Sequence, residues 1–280
     1  EESKEMAFIS KQLVTLSKDC HVIDDLDTFI LPSENPILKI SDILIKYDMS
    51  KILDRVNKNG MSFKTQIPKE VQKQENMEFI LLDNENSLSL VINTIPRDAI
   101  VSFDTETTDI DVRNAKIVGF SFAYEENKAY YVPIAHSYLG VAAQISNEAA
   151  RQAIIQLNRH KLVLQNFKYD YEIIKNNFEI ELKLYADTMI LSWLLDTNEK
   201  VGLDYQINKY FNHKMIAFKD VVKKGENFSN VDILNACDYA AEDALMTLKL
   251  FNKQLKVFKE KECEDLLQLG FDMEFDFIYV

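Results

Sequence analysis

The chain is poor in glycine: Gly60, Gly119, Gly140, Gly202, Gly225 and Gly270 are the only six in 280 residues. No G-x-G-x-x-G and no G-x-x-x-x-G-K can be assembled from them, which excludes dinucleotide and P-loop sites, where glycine backbone must approach phosphate. Cysteine is scarcer still. Cys20, Cys237 and Cys263 are odd in number, far apart and without a C-x-x-C, a pattern that excludes a disulfide framework or cysteine zinc site and fits a reducing compartment. Long apolar runs are missing too: the most apolar short stretch, 189–195, is interrupted by Ser192 and falls far short of the ~18 residues of a membrane span. Nothing near Glu1 reads as a signal peptide. Positive charge is in deficit, with 32 Lys+Arg against 45 Asp+Glu, a net charge of −13 and a pI near 4.9. That balance argues against a protein whose main task is to coat nucleic-acid phosphate. A soluble protein is expected.

What is present is an ordinary globular mixture, 47 % hydrophobic and 28 % charged, enough for a core and unlike a disordered or collagen-like chain. Residues 1–60 are polar and helix-prone, and a Lys/Gln/Glu-rich run over 64–76 with Pro68 reads as a linker. Beyond it, strands are expected over 78–82, 99–103, 116–124, 129–134 and 162–164. Helices are expected over 85–95, 147–159, 167–178, 187–195, 203–211 and 231–259. Interleaved strands and helices of this kind predict an α/β fold, a mixed sheet flanked by helices. The stretch Phe271, Met273, Phe275, Phe277, Ile278 and Tyr279 is apolar up to the end of the sequence. Such an element needs a cover, so the natural chain is expected to continue.

Three segments carry acids where chemistry could use them. The 99–103 strand runs into Asp104-Thr105-Glu106, and a period of two sends Asp104 and Glu106 to one face at its carboxyl end. An isolated D-x-E is more often a solvated strand end. At the 162–164 strand the chain passes through Asn166, an N-cap candidate, into a helix whose first turn holds Asp170; capping and the helix dipole alone would explain both. In the long helix, Tyr239, Asp243, Met246 and Leu250 share one face while Cys237, Ala241, Ala244 and Leu248 make the other side apolar as well. Asp243 therefore points inward, where an unpaired carboxylate needs a cation, a proton or strong donors. Four converging carboxylates repel one another by several kcal/mol unless cations lie between them. Hard oxygen ligands suit Mg²⁺ or Mn²⁺, and a pair of such ions is the composition of a phosphodiester-cleaving centre.

Phe103-Asp104-Thr105-Glu106-Thr107, Gln165-Asn166-Phe167-Lys168-Tyr169-Asp170 and Tyr239-Ala240-Ala241-Glu242-Asp243-Ala244 resemble, in this order, the three motifs of the DEDDy 3′-to-5′ exonucleases. More closely, they are similar to the proofreading domain of bacterial family A DNA polymerases, the DNA polymerase I type. Residues 118–123, 131–136 and 186–189 extend the likeness, which covers about 78–260. The resemblance implies a ribonuclease H-like fold and four regions. Residues 1–60 would be the end of a 5′ nuclease region with its connector, 61–77 a linker, 78–260 the exonuclease domain and 261–280 the start of a polymerase domain.

By the same resemblance, Asp104, Glu106 and Asp243 would hold the metal that carries the attacking water. Asp104 would bridge to a second metal that Asp170 helps to hold through water, and Tyr239 and Glu106 would orient the nucleophile. Thr107, Ile110, Gln165, Asn166, Tyr169 and Phe218 would contact the terminal nucleotide, Ile110 as a wedge and Phe218 against the strand end; plain core packing is the other reading of those two. Thr108, Asp109 and the helix at Leu203-Asp204-Tyr205-Gln206 depart from the polymerase pattern and are expected not to touch the four acids. His136 reads as a strand-end residue.

The implied cofactors are two divalent cations, Mg²⁺ or Mn²⁺. The implied partners are a single-stranded or frayed DNA 3′ end and the polymerase and 5′ nuclease domains of a parent chain. A monomeric, bacterial, cytoplasmic enzyme without membrane association follows. The alternatives are an RNA 3′ exonuclease of the ribonuclease D type and a catalytically silent domain that binds DNA or braces its neighbours. The acidic balance does not oppose the leading reading. Residues 260–280 hold seven acids and one base, and the four motif acids would be offset by the metals, leaving a pocket able to grip a few nucleotides by metal contact and stacking.

Overall fold

The computed structural model describes residues 2–15, 36–46, 49, 52 and 77–279, in two units, Glu1–Gln72 and Lys73–Val280. The first holds α1 (Glu2–Val14), a 3-10 turn Pro36–Ile40 that proline opens, and α2 (Ser41–Lys46). Phe8 and Ile9 on α1 stay exposed, whereas Leu44 on α2 is buried. The expected linker over 61–77 lies outside the described residues except for Met77.

The second unit follows the expected order closely. It runs β1 (Glu78–Leu81), α3 (Glu85–Thr94), β2 (Ile100–Thr107), β3 (Ile117–Glu125), β4 (Lys128–Pro133), α4 (Asn147–Leu157), β5 (Lys161–Leu164) and α5 (Phe167–Phe178). It continues with β6 (Leu184–Asp187), α6 (Thr188–Leu195), α7 (Leu203–Phe211), α8 (Phe218–Val221), a 3-10 turn Phe228–Asn230 and the long α9 (Ile233–Glu260). Two strand and helix pieces were not expected, β6 and the four-residue α8. Among the described residues no helix is long and apolar enough to cross a membrane.

The six strands form one sheet in the order β1-β4-β3-β2-β5-β6. β2, β5 and β6 are parallel neighbours, β3 runs antiparallel to β2 and β4, and β1 lies parallel to β4. This is the mixed sheet flanked by helices that was expected, with one more strand. Alternation then sorts the side chains. Val101 and Phe103 of β2, with Phe120 and Phe122 of β3, face α3, α4 and α5 and bury Leu88, Ile92, Ile154, Leu157, Ile173 and Ile174. At about 1.5–3 kcal/mol for each fully buried Phe or Leu, this face supplies the larger share of the apolar stabilisation. The other face is crossed by α9, whose Ala241, Ala244, Leu245 and Leu248 settle on Ala123 and Ala129. Small residues on both sides bring the helix close enough for the buried Ser102 hydroxyl to donate to the Ala244 carbonyl at 2.7 Å. That bond locks the turn of α9 carrying Asp243 against the strand carrying Asp104.

The apolar stretch near the end of the chain was expected to lack a cover and finds part of one. α10 (Glu264–Leu269), a π-helical turn Gly270–Glu274 and α11 (Phe275–Phe277) fold back beside β6 and α6. Phe275 is buried among Leu191, Leu194, Phe251 and Phe258, and the Tyr279 hydroxyl accepts from Leu184 N–H at 2.8 Å and donates to the Leu182 carbonyl at 3.2 Å. Met273 and Phe277 remain exposed.

Candidate active site

Parallel strands end together, so their following segments converge, and ligand sites of open α/β sheets lie at those carboxyl ends. Here the converging ends are those of β2, β5 and β6. β2 delivers Asp104 and Glu106, and α9, lying across the same face, delivers Asp243. One carboxylate oxygen from each lies within 4.8 Å of the others. Glu106 is buried and Asp104 and Asp243 are half-buried. At an effective dielectric near 20, two charges at such a distance repel by about 3 kcal/mol.

The protonation of the group reflects that crowding. Burial lifts Asp104 from 3.8 to about 7. Burial, then the charges of Asp104, Asp243 and Asp170, hold Glu106 well above the usual carboxylate range. Asp243 is raised by burial, then by Asp104, Glu242 and Asp204, against a hydrogen bond from Tyr239 that lowers it. The Asp204 charge acts on Asp243 through space from the first turn of α7. Among the described residues no cationic side chain is a principal influence on these carboxyls. Buried like charges that lack a cationic side chain and offer only hard oxygen donors fit a divalent cation.

Asp170 stands slightly apart. It is buried in the first turn of α5, and its Oδ1 accepts from Thr105 N–H at 3.1 Å and from the Thr105 hydroxyl at 2.5 Å. Burial and then the Asp104 charge raise it, while the Thr105 bonds oppose them. Thr105, between the two acids of β2, points to the opposite face, and this is how one strand serves both sides of the site. Nothing in the sequence singled out Thr105 as the partner of Asp170.

Asn166 precedes α5 but does not cap it as expected. Its backbone is left-handed, φ 70°, and its side chain makes no capping bond. Asp187 does that work instead. At 3 % exposure it accepts from Asn166 and Phe167 N–H at the start of α5 and from Met189 and Ile190 N–H at the start of α6. One carboxylate thus staples two helix starts. The Gln165 amide is engaged within the protein, donating to the Val201 carbonyl at 2.9 Å and accepting from the Thr188 hydroxyl.

Thr107 and Tyr169 meet hydroxyl to hydroxyl at 2.5 Å, and Tyr169 donates to the Asp109 carbonyl at 2.8 Å. These bonds brace the loop that holds Ile110 out in water, 91 % exposed. Phe218, at the start of α8, is 53 % exposed with its ring 6.3 Å from that of Tyr239. Neither residue is core packing. Tyr239 also packs on Phe228, 5.8 Å away, and stands one turn before Asp243, whose carboxyl it influences. Burial, followed by the charges of Asp243, Glu106 and Asp104, raises the Tyr239 phenol far above its ordinary value.

His136 is an interior residue rather than a strand-end one. Burial depresses it to about 4, so the ring is neutral. Its Nδ1 lies 2.9 Å from the Val231 carbonyl, which can only accept, so Nδ1 carries the proton and Nε2 accepts from the Tyr131 hydroxyl at 2.6 Å. The Tyr131 ring occupies the space a Cβ at Gly119 would need, and Gly119 pairs across the sheet with Glu106. A scarce glycine therefore sits beside Glu106 of the candidate site.

Comparison with known proteins agrees with this geometry. The model of a family described as 3′-5′ exonuclease matches residues 79–259. The chain is 32 % identical over 285 residues to DNA polymerase I of Borreliella burgdorferi, covering 94 % of this chain and 30 % of that protein. It is 34 % identical over 263 residues to DNA polymerase I of Pseudomonas aeruginosa, covering 89 % and 28 %. The chain thus spans less than a third of the length of these curated relatives. Among solved structures, Brucella melitensis NrnC shares the fold with a TM-score of 0.50 at 14 % identity, over 72 % of this chain and 89 % of that one. With the family model running from the first strand to the last turn of α9, through all four acids, the chain belongs to the 3′-5′ exonuclease family found in DNA polymerase I.

Proposed function

We propose that this chain is the proofreading region of a DNA polymerase I and hydrolyses the last phosphodiester of a single-stranded or frayed DNA 3′ end with two Mg²⁺ or Mn²⁺ ions. The observation that carries the reading is the juxtaposition of Asp104, Glu106 and Asp243 within 4.8 Å, with Tyr239 one turn before Asp243 on α9. Those three acids would hold one cation, and Asp104 with Asp170 would serve a second. When bound, the cations supply Lewis acidity, neutralising phosphate charge and making water a nucleophile at neutral pH.

The remaining work falls to the chain's own groups. The water oxygen bonds to the terminal phosphorus and the bond to the 3′ oxygen breaks. A nucleoside 5′-monophosphate leaves, and the shortened strand keeps its 3′ oxygen, which takes up a proton. Tyr239 stays protonated, so it is not the base. With its hydroxyl donating to Asp243, the oxygen would still have a lone pair with which to accept from the water. Glu106 would accept from the same water on the other side. Ile110 and Phe218, apolar and held out in solvent, suit a wedge and a platform for the terminal nucleotide. Thr107, Tyr169, Gln165 and Asn166 would line its pocket, the first two by setting the Ile110 loop.

The matched relatives being DNA polymerase I, the proposal includes a monomeric parent with polymerase and 5′ nuclease domains as partners, acting in the bacterial cytoplasm. The test is Asp104→Ala: shortening of a single-stranded DNA from its 3′ end should disappear while circular dichroism and melting stay those of a folded protein. Undiminished cleavage would refute the assignment. Preferential shortening of an RNA strand would favour the ribonuclease D-type alternative, and strand binding by the wild type without shortening would favour the silent domain.

A further inference from the structure

The segment between α7 and α8 carries Phe218 to Tyr239 with no regular structure of its own. It starts where Asn212 takes a left-handed conformation, φ 51°, and ends at Ala217, the residue before α8. A platform at its end is only as well placed as the segment is anchored. Among the described residues its polar anchor is a single residue of α9. Glu242, 3 % exposed, receives the His213 ring at 2.8 Å on Oε1 and the Ile216 N–H at 2.7 Å on Oε2. Both oxygens of a buried carboxylate thus hold one loop. Met215, between these two contacts, is buried against Ile207, Met246 and Leu250. Two residues after Ile216, the Phe218 ring stands edge to face with Tyr239, at 70°.

Glu242 is the residue before Asp243, and Tyr239 lies one turn earlier on α9. The loop is therefore referenced to the same two turns of helix that carry the metal ligand and the phenol. Removing a partner from a buried carboxylate leaves it undersatisfied, and the loop has no second polar tie of this kind among its described contacts. We propose that His213 and Glu242 form a clasp that fixes the Phe218 segment beside Tyr239, making His213 a positioning residue for the DNA strand. This rests on the exonuclease reading for the identity of the strand but concerns binding, not hydrolysis. His213 acts through Phe218 and does not touch the acids that would hold metal.

The experiment is a double-mutant cycle in the full chain. The affinity for a single-stranded oligonucleotide with a phosphorothioate last linkage is measured by fluorescence anisotropy, and Mn²⁺ affinity by calorimetry on the protein alone. His213→Ala should weaken strand binding by about tenfold, the size of a lost base–aromatic contact, with Mn²⁺ affinity unchanged. Phe218→Ala should weaken it by a similar factor, and the double variant no further, because both changes remove one interaction. His213→Gln, whose amide can still donate to Glu242, should recover most of the loss. Wild-type strand affinity in His213→Ala, additive losses in the double variant, a parallel loss of Mn²⁺ affinity, or failure of Gln to rescue would each overturn the clasp. A wild type that binds the strand tightly but never shortens an unmodified one would instead count against the exonuclease reading and leave this cycle interpretable.

Discussion

Removing divalent cations should make the stability of this protein depend on pH in a direction set by its buried acids. In the folded chain Asp104 is raised from 3.8 to about 7, and Glu106, Asp170 and Asp243 are raised as well. A carboxyl whose folded value exceeds its unfolded value favours the folded state when protonated. Its contribution is complete below the unfolded value and is lost as pH rises through the folded one. For Asp104 the whole interval corresponds to about 4 kcal/mol at about 1.36 kcal/mol per pH unit. The part realised between about pH 5.5 and about pH 8.5 is the stretch up to about 7, or about 2 kcal/mol. For a domain of this size that is a shift of roughly 4–8 °C in melting temperature. Metal-free protein in chelator, followed by circular dichroism, should therefore melt higher at the lower pH. Asp104→Asn should lose about that much of the difference, which separates the site from the general effect of a net charge of −13. Saturating Mg²⁺ should shrink the difference by binding the ionised form. A metal-free melting temperature that is flat over this range, or that rises with pH, would refute the claim that these acids are crowded and short of cations.

Two further outcomes follow from single contacts. Tyr239→Phe removes the hydroxyl beside Asp243 but keeps the ring between Phe218 and Phe228, so hydrolysis should slow by roughly 10- to 100-fold without vanishing, short of the full loss of an acid–base group; single-turnover rates at saturating metal check this, and a wild-type rate would remove the phenol from the mechanism. Thr105→Val deletes the hydroxyl on Asp170 while its backbone N–H remains, and urea unfolding of the metal-free protein should show a loss of about 0.5–1.5 kcal/mol, the range for a hydrogen bond to a carboxyl that burial keeps largely protonated.

Much of the site could be read before the fold because its acids sit on elements with clear periodicity. The apolar run before Asp104 marks a strand, and the two-residue spacing to Glu106 then fixes their shared face. The 28 residues of α9 are long enough that Asp243 had to point inward with Met246 and Leu250. What could not be read lacked either period or locality. β6 has four residues and turns at once into α6, so no alternation develops. α8 is a single turn, shorter than any helical repeat. Asp187 looked like part of a helix start, but its second role, at the start of α5, depends on β5 and β6 lying side by side. The Thr105–Asp170 and His213–Glu242 bonds join residues 65 and 29 positions apart, and only the tertiary fold brings each pair together. Asn166 looked like a cap because Asn so often is one; its left-handed backbone turns the side chain away from that task.

The most direct measurement is anomalous diffraction from crystals soaked in Mn²⁺. The account predicts one strong peak ligated by Asp104, Glu106 and Asp243, and a second on the Asp104 and Asp170 side once a nucleoside monophosphate is added. No peak at these carboxylates under saturating Mn²⁺ would contradict it.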